Sequence, residues 1–140
     1  AVSQRAAELA RARAARIVLN AAPARQMSSD LLALIDVLIV NRVEAAMLSG
    51  EDDPLRALGA LHATTRDVVL TRGGEGLMLV TRDGISRHIP ALPVRLLSSH
   101  GAGDCFCGAL AARLAAGNDL IEACHFANEA AGRFVSTQQD

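Results

Sequence analysis

Val37-Leu38-Ile39-Val40 is a wholly apolar run bounded by Asp36 and Asn41, and it constrains the fold more than any other stretch of the chain. A strand with one wet face alternates apolar and polar side chains. A run without alternation has to be covered on both faces, as happens in a parallel sheet flanked by helices. Asp67-Val68-Val69-Leu70-Thr71 repeats the pattern. Between the two runs, Asn41 is suited to cap a helix that Gly50 ends, and a second short helix is expected from Pro54 to about His62. Upstream, Ser3 to about Ala15 has helical spacing and leads into the β-rich run Arg16-Ile17-Val18-Leu19-Asn20. A loop from Pro23 to Ser29 and a short helix from Asp30 to Ile35 follow.

After Thr71 the alternation of strand and helix stops. Gly73, Gly74 and Gly76 mark a tight turn into Leu77-Met78-Leu79-Val80, and Asp83-Gly84 is a two-residue turn signal before a strand from Ile85 to Ile89. Beyond Pro90 and Pro93, Val94-Arg95-Leu96-Leu97 is a further strand candidate. Two helices close the chain, Gly101 to about Ala116 and Asp119 to about Val135, with Gly117-Asn118 between them. The expected class is α/β: a mostly parallel sheet with flanking helices and an antiparallel hairpin edge, forming one domain or part of one.

Composition removes several function classes. The 140 residues are 51% hydrophobic and 21% charged, enough to bury a core, and a net charge of -1 offers no global attraction to nucleic acid or to an anionic membrane surface. Every basic side chain apart from histidine is Arg, so a P-loop, which needs Lys after its glycines, is excluded. Three Phe with no Tyr or Trp leave no stacking platform for single strands, so no nucleic-acid partner is expected. No apolar run nears the roughly 18 residues that span a bilayer. Cys105, Cys107 and Cys124 lack zinc-site spacing and are expected as reduced thiols in a cytoplasmic protein. His62, His88, His100 and His125 have no metal-like spacing.

The sharpest local feature is Ser99-His100-Gly101-Ala102-Gly103-Asp104, small residues opening a long helix after a strand. Glycines admit a ligand close to backbone N–H groups, and a helix start offers unpaired donors and partial positive charge, which together suit an anion. Asp104, in the first turn, would stand where it can take a proton from an attacking hydroxyl. A plain close-packing turn with a dipole-favoured Asp explains the spacing equally well.

Gly101-Ala102-Gly103-Asp104 followed by Cys105-Phe106-Cys107-Gly108-Ala109-Leu110 resembles the second signature of the ribokinase-like (PfkB) carbohydrate kinases, G-A-G-D-x-F-x-G-A-L. Four further segments follow the same family in order. Leu19-Asn20-Ala21-Ala22-Pro23-Ala24 resembles its N-P-A-P segment, Asn41-Arg42-Val43-Glu44-Ala45 its N-x-x-E motif and Thr71-Arg72-Gly73-Gly74-Glu75-Gly76 its T-x-G-x-x-G turn. Phe126-Ala127-Asn128-Glu129-Ala130-Ala131 resembles the helix bordering the adenine pocket. The resemblance implies a partial ribokinase-like fold and ATP-dependent transfer of a phosphoryl group to a sugar or nucleoside hydroxyl. Asp104 would be the general base, with Gly101, Ala102 and Gly103 as its backbone anion hole. Asn41 and Glu44 would help place Mg²⁺, against a reading of the pair as a helix cap alone. Thr71, Gly73 and Gly76 would meet the nucleotide phosphates, and Asn128 the adenine or ribose.

Two departures limit the transfer. Ser98-Ser99-His100 stands where the family has Asp-Thr before the glycines, so a monovalent-cation requirement is not carried over, and a protonated His100 would add positive charge beside a phosphate. Family members also run to about twice this length. The chain is therefore expected to be the C-terminal part, 1–140, of such a kinase domain, lacking the sugar-binding and lid half and inactive by itself. A homodimer of the longer protein is left open. The competing expectation is a non-catalytic fragment that binds nucleotide or pairs with a partner chain.

Overall fold

A computed structural model describes residues 2–23, 25–93 and 101–137. Its elements in chain order are α1 (Val2–Ala12), β1 (Val18–Asn20), α2 (Ser29–Leu34), β2 (Val37–Asn41), α3 (Arg42–Ser49), α4 (Pro54–His62), β3 (Asp67–Thr71), β4 (Leu77–Val80), β5 (Ser86–Ile89), α5 (Ala102–Ala115) and α6 (Leu120–Thr137). The strands form one mixed sheet in the order β1-β2-β3-β4-β5. The expected strand Val94–Leu97 lies outside the described residues.

β1, β2 and β3 are parallel. Val18 stands opposite Val37, and Val37 opposite Asp67, with Asn41 opposite Thr71 at the far end. A five-residue connection from β3 to β4 is too short for a crossover, so the sheet turns antiparallel there. The apolar runs are buried on both faces: Val37, Leu38, Val40, Val68, Val69 and Leu70 are all fully buried. On one face Leu38, Val40, Val68, Leu70, Met78 and Val80 pack with Ala45 of α3 and with Ala57, Leu58 and Leu61 of α4. Each fully buried Val or Leu contributes about 1.5–3 kcal/mol relative to exposure, so this layer is what holds the strand ends in place.

By compactness the chain divides into two units. The first is Ala1–Thr71 with Met78–Ser86; the second is Arg72–Leu77 with Arg87–Asp140. In the second, α5 and α6 pack against one another. No helix among the described residues is long and apolar enough to cross a membrane.

Three local structures differ from the sequence reading. α1 ends at Ala12 rather than near Ala15, because Ala14 takes a left-handed backbone (φ 56). The amide of Ala15 donates to Ala10 O and that of Ala14 to Arg11 O, each at 3.0 Å, a Schellman ending without the usual glycine. β1 begins only at Val18, because the Ile17 amide donates to Asp36 Oδ2 at 2.7 Å and its carbonyl accepts from both Asp36 and Val37. The Asp83-Gly84 turn is a three-residue loop: Gly84 N donates to Thr81 O, Thr81 N donates to Ile85 O, and Gly84 (φ 86) supplies the left-handed bulge position.

Candidate active site

Asn41, Glu44 and Thr71 come together in the first unit. Asn41 ends β2 and caps α3, its Oδ1 accepting from Glu44 N at 2.8 Å, while Glu44 Oε2 accepts from Asn41 N at 2.9 Å. This is a complete capping box, in which each side chain satisfies the other's backbone donor. Thr71 is the register partner of Asn41 on β3, and its hydroxyl leans on Val40 O at 3.4 Å. Asn41 and Thr71 end parallel strands and Glu44 lies in the first turn of the helix that follows β2, at the carboxyl end of the sheet, where open α/β folds take their ligands.

Glu44 is only 5% exposed and is the sole carboxylate of this group. Among the described residues no three His, Cys, Asp or Glu side chains gather as a metal cage. One hard oxygen ligand does not retain a divalent ion by itself, but it suits a Mg²⁺ that arrives with nucleotide phosphates and keeps most of its water. A carboxylate accepts at several lone-pair positions, so the capping bond does not exhaust it.

The second unit carries the other candidates. Gly73 (φ 57) and Gly76 (φ 86) adopt positive φ in a short 3₁₀ turn, closed by Gly76 N donating to Gly73 O at 3.0 Å and Arg72 N donating to Gly76 O at 2.8 Å. A Cβ on Gly76 would strike Ile89 O and come within 2.7 Å of Ala91 N, so only glycine fits. Gly101 (φ 82) stands at the N-cap of α5, and among the described residues no side chain caps that helix. The amides of Ala102, Gly103 and Asp104 occupy its first turn. Asp104 is exposed there, and a Cβ on Gly103 would meet nothing within 4 Å. Among the described residues this start has no side-chain cap, in contrast to α3 and to α4, which Asp53 caps through Arg56 N.

Half-buried Asn128 of α6 is engaged by the chain itself at the surface: its Nδ2 donates to Pro90 O at 2.8 Å. Gly132, one helical turn on, lies so close to Leu92 that an added Cβ would be 2.9 Å from the Leu92 Cβ. The sequence reading missed this contact. Its only signal was a glycine in the interior of a helix, which often marks a close approach. Ser98 and His100, the departures from the family pattern, lie outside the described residues.

The opposite ends of the strands hold a second polar group. Asp36, before β2, accepts from Ile17 N, Arg11 and Arg66, and Asp67, at the start of β3, accepts from Arg82 N at 2.6 Å and pairs with Arg16 and Arg82. Burial alone would raise the Asp36 pKa, but the Ile17 amide and the Arg11 and Arg66 charges outweigh it and hold the group below its ordinary value. A depression of about 420 Å³ opens here, lined by Arg11, Ala14, Ala15, Arg16, Asp36 and Arg82. It is at the wrong end of the sheet for Asn41, Glu44 and Thr71, and its one carboxylate, Asp36, is engaged in structural pairs.

Comparison with known proteins adds the family context. The model of the pfkB family carbohydrate kinases matches residues 1–140. Ribokinase of Staphylococcus aureus (strain COL) is 35% identical over 135 residues, which are 91% of this chain and 44% of that protein. Ribokinase of Haemophilus influenzae is 34% identical over 137 residues, 94% of this chain and 44% of that protein. The structure of Arabidopsis thaliana ribokinase complexed with ribose and ATP superposes with a TM-score of 0.89 at 22% identity, covering 98% of this chain and 46% of that one. The chain thus spans about half the length of the relatives it matches.

Proposed function

Starting from a chain that belongs to the pfkB family of carbohydrate kinases, we propose that it supplies the nucleotide site and the catalytic base for ATP-dependent phosphoryl transfer to a sugar or nucleoside hydroxyl. The observation that carries this reading is the start of α5: a helix of 14 residues, without a side-chain cap among the described residues, opened by Gly101-Ala102-Gly103, with Asp104 exposed in its first turn. The first-turn amides there, with the helix dipole, would stabilise the charge that spreads over the equatorial oxygens of the transferring group. Asp104 takes the proton of the acceptor hydroxyl as its oxygen bonds to the γ-phosphorus, and ADP departs with the electron pair of the broken P–O bond.

Asn41 and Glu44 would hold Mg²⁺ and its waters beside the triphosphate, an ion whose chemistry there is to neutralise phosphate charge. Thr71, Gly73 and Gly76 would line the phosphates; the family resemblance alone would put Asn128 at the base or ribose end, whereas its side chain is already bonded to Pro90 O. By the family resemblance, the acceptor-binding and lid residues would lie in the part of the relatives that this chain does not span. The isolated chain is accordingly proposed to bind nucleotide without turning over.

The test is Asp104→Asn in the full-length protein. Turnover should fall by about 10²–10⁴ while Mg-ATP affinity stays near wild type. Loss of both together would assign Asp104 a structural role and sink the catalytic reading. A second reading, an interaction fragment needing a partner chain, draws on one observation. Val43 (68% exposed) and Met47 (50% exposed) stand one turn apart on α3, and Leu55 (68% exposed) opens α4. Light scattering that finds a monodisperse monomer at high concentration would count against it.

A further inference from the structure

The second unit contains an arrangement that the motifs do not reveal. Pro90-Ala91-Leu92, leaving β5, is gripped from two sides. On one side lies Gly76, whose missing side chain lets the 3₁₀ turn press on Ile89, Pro90 and Ala91; Pro90 C would be 2.7 Å from a Cβ placed there. The same turn is tied to β5 by His88 Nε2, 3.2 Å from Glu75 O. On the other side lies α6, with Asn128 Nδ2 donating to Pro90 O at 2.8 Å and Gly132 receiving Leu92. Asn128 and Gly132 are four residues apart, so they face the strap from one stripe of the helix. α6 also packs against α5, whose first turn holds Gly103 and Asp104.

We propose that Pro90–Leu92 is a strap that Asn128 and Gly132 hold against the Gly73–Gly76 turn, making Asn128 a positioning residue of the nucleotide site rather than a reader of the base. The proposal rests on the kinase reading for the word nucleotide, but the strap itself does not. The chemistry is specific. Pro90 contributes a carbonyl with no partner strand written into the sequence, and the Asn128 amide is the donor that satisfies it. An amide that donates to the strap fixes the distance between α6 and the glycine turn, and so the place where phosphates meet backbone N–H groups. A side chain committed to that bond has one fewer group to offer a purine edge, so loss of the bond should weaken all nucleoside triphosphates alike.

The experiment uses the 140-residue chain, with Asn128→Asp, which keeps the shape but turns an acceptor toward Pro90 O, and Gly132→Ala, which pushes Leu92 from a position outside the proposed site. Amide hydrogen exchange is read at residues 72–77 and 91–92 and, as reference, in the interiors of α5 and α6. Mg-ATP and Mg-GTP affinities are measured beside it. Loss of the Asn128–Pro90 hydrogen bond in Asn128→Asp, and displacement of Leu92 in Gly132→Ala, should each speed exchange at the turn and strap about five- to tenfold, with little change in the helix interiors. Mg-ATP and Mg-GTP should weaken by the same factor.

Unchanged turn amides in both variants, or faster exchange spread evenly through α5 and α6, would overturn the strap. An Asn128→Asp variant whose ATP-to-GTP preference alone shifts would overturn the positioning role in favour of direct base contact. Failure of the wild-type chain to bind either nucleotide would count against the kinase site instead, while the exchange arm still decides the strap.

Discussion

Glu44 has two jobs assigned to it, and two substitutions separate them. As a cap it accepts from Asn41 N at 2.9 Å, and as a proposed Mg²⁺ ligand it brings one negative charge to the phosphate end of the site. Glu44→Gln keeps an acceptor at the position that closes a capping box, where Gln is tolerated. The bond weakens from charge-assisted to neutral, and a favourable contact with the helix dipole worth about 0.3–1 kcal/mol is lost. Against this, a neutral amide is cheaper to bury at a position only 5% exposed. The net change in stability should stay within about 1 kcal/mol. Glu44→Ala removes the acceptor altogether and leaves Asn41 N without its partner, which should cost about 1–3 kcal/mol.

Urea unfolding should therefore rank wild type and Glu44→Gln close together, with Glu44→Ala clearly lower. Calorimetric titration with Mg-ATP should rank them differently. Both variants lose the ionic ligand, worth about 1.5–3 kcal/mol, so both should bind roughly ten- to a hundredfold more weakly. A Glu44→Gln chain that binds Mg-ATP like wild type would refute the metal role and leave Glu44 as a cap alone.

Two further predictions concern stability. Asp36 has its pKa lowered from 3.8, so its ionised form stabilises the fold above the unfolded-state pKa, and this contribution is lost as pH falls through the folded value. Urea midpoints measured from pH 6 down to about pH 3 should fall more steeply for wild type than for Asp36→Asn, and equal slopes would refute the argument. Ala14 occupies a left-handed position that costs an L-residue about 1–2 kcal/mol, so Ala14→Gly should raise stability by about 1 kcal/mol in the same assay despite removing a side chain; a loss of stability would refute the Schellman assignment.

The sheet was legible because the pattern that specifies it is local. Apolar runs without alternation at Val37–Val40 and Val68–Leu70 require cover on both faces, and these residues are fully or nearly fully buried. The cap pair was legible for the same reason, since Asn41 and Glu44 are three residues apart, and the box forms as the spacing implied. The end of α1 was not, because its stop is an alanine held left-handed by two backbone bonds rather than a glycine that announces itself. The contact of Asn128 with Pro90, 38 residues away, depends on tertiary packing that no periodicity encodes. The family resemblance found the same residue from its motif but gave it a different neighbour. Gly101 to Asp104 were legible as a helix start; their catalytic roles come from the resemblance and rest on experiment.

Gly103→Asp asks whether this chain holds a nucleotide site at the start of α5. A Cβ at Gly103 meets nothing within 4 Å and its φ is not left-handed, so the substitution should leave the fold intact while placing a carboxylate where phosphate is proposed to lie. Calorimetric titration of both proteins with Mg-ATP should give saturable binding to the wild-type chain and binding weakened at least about tenfold, the equivalent of 1.4 kcal/mol, in the variant. Equal binding by the two proteins would contradict the account, because the nucleotide would then lie elsewhere.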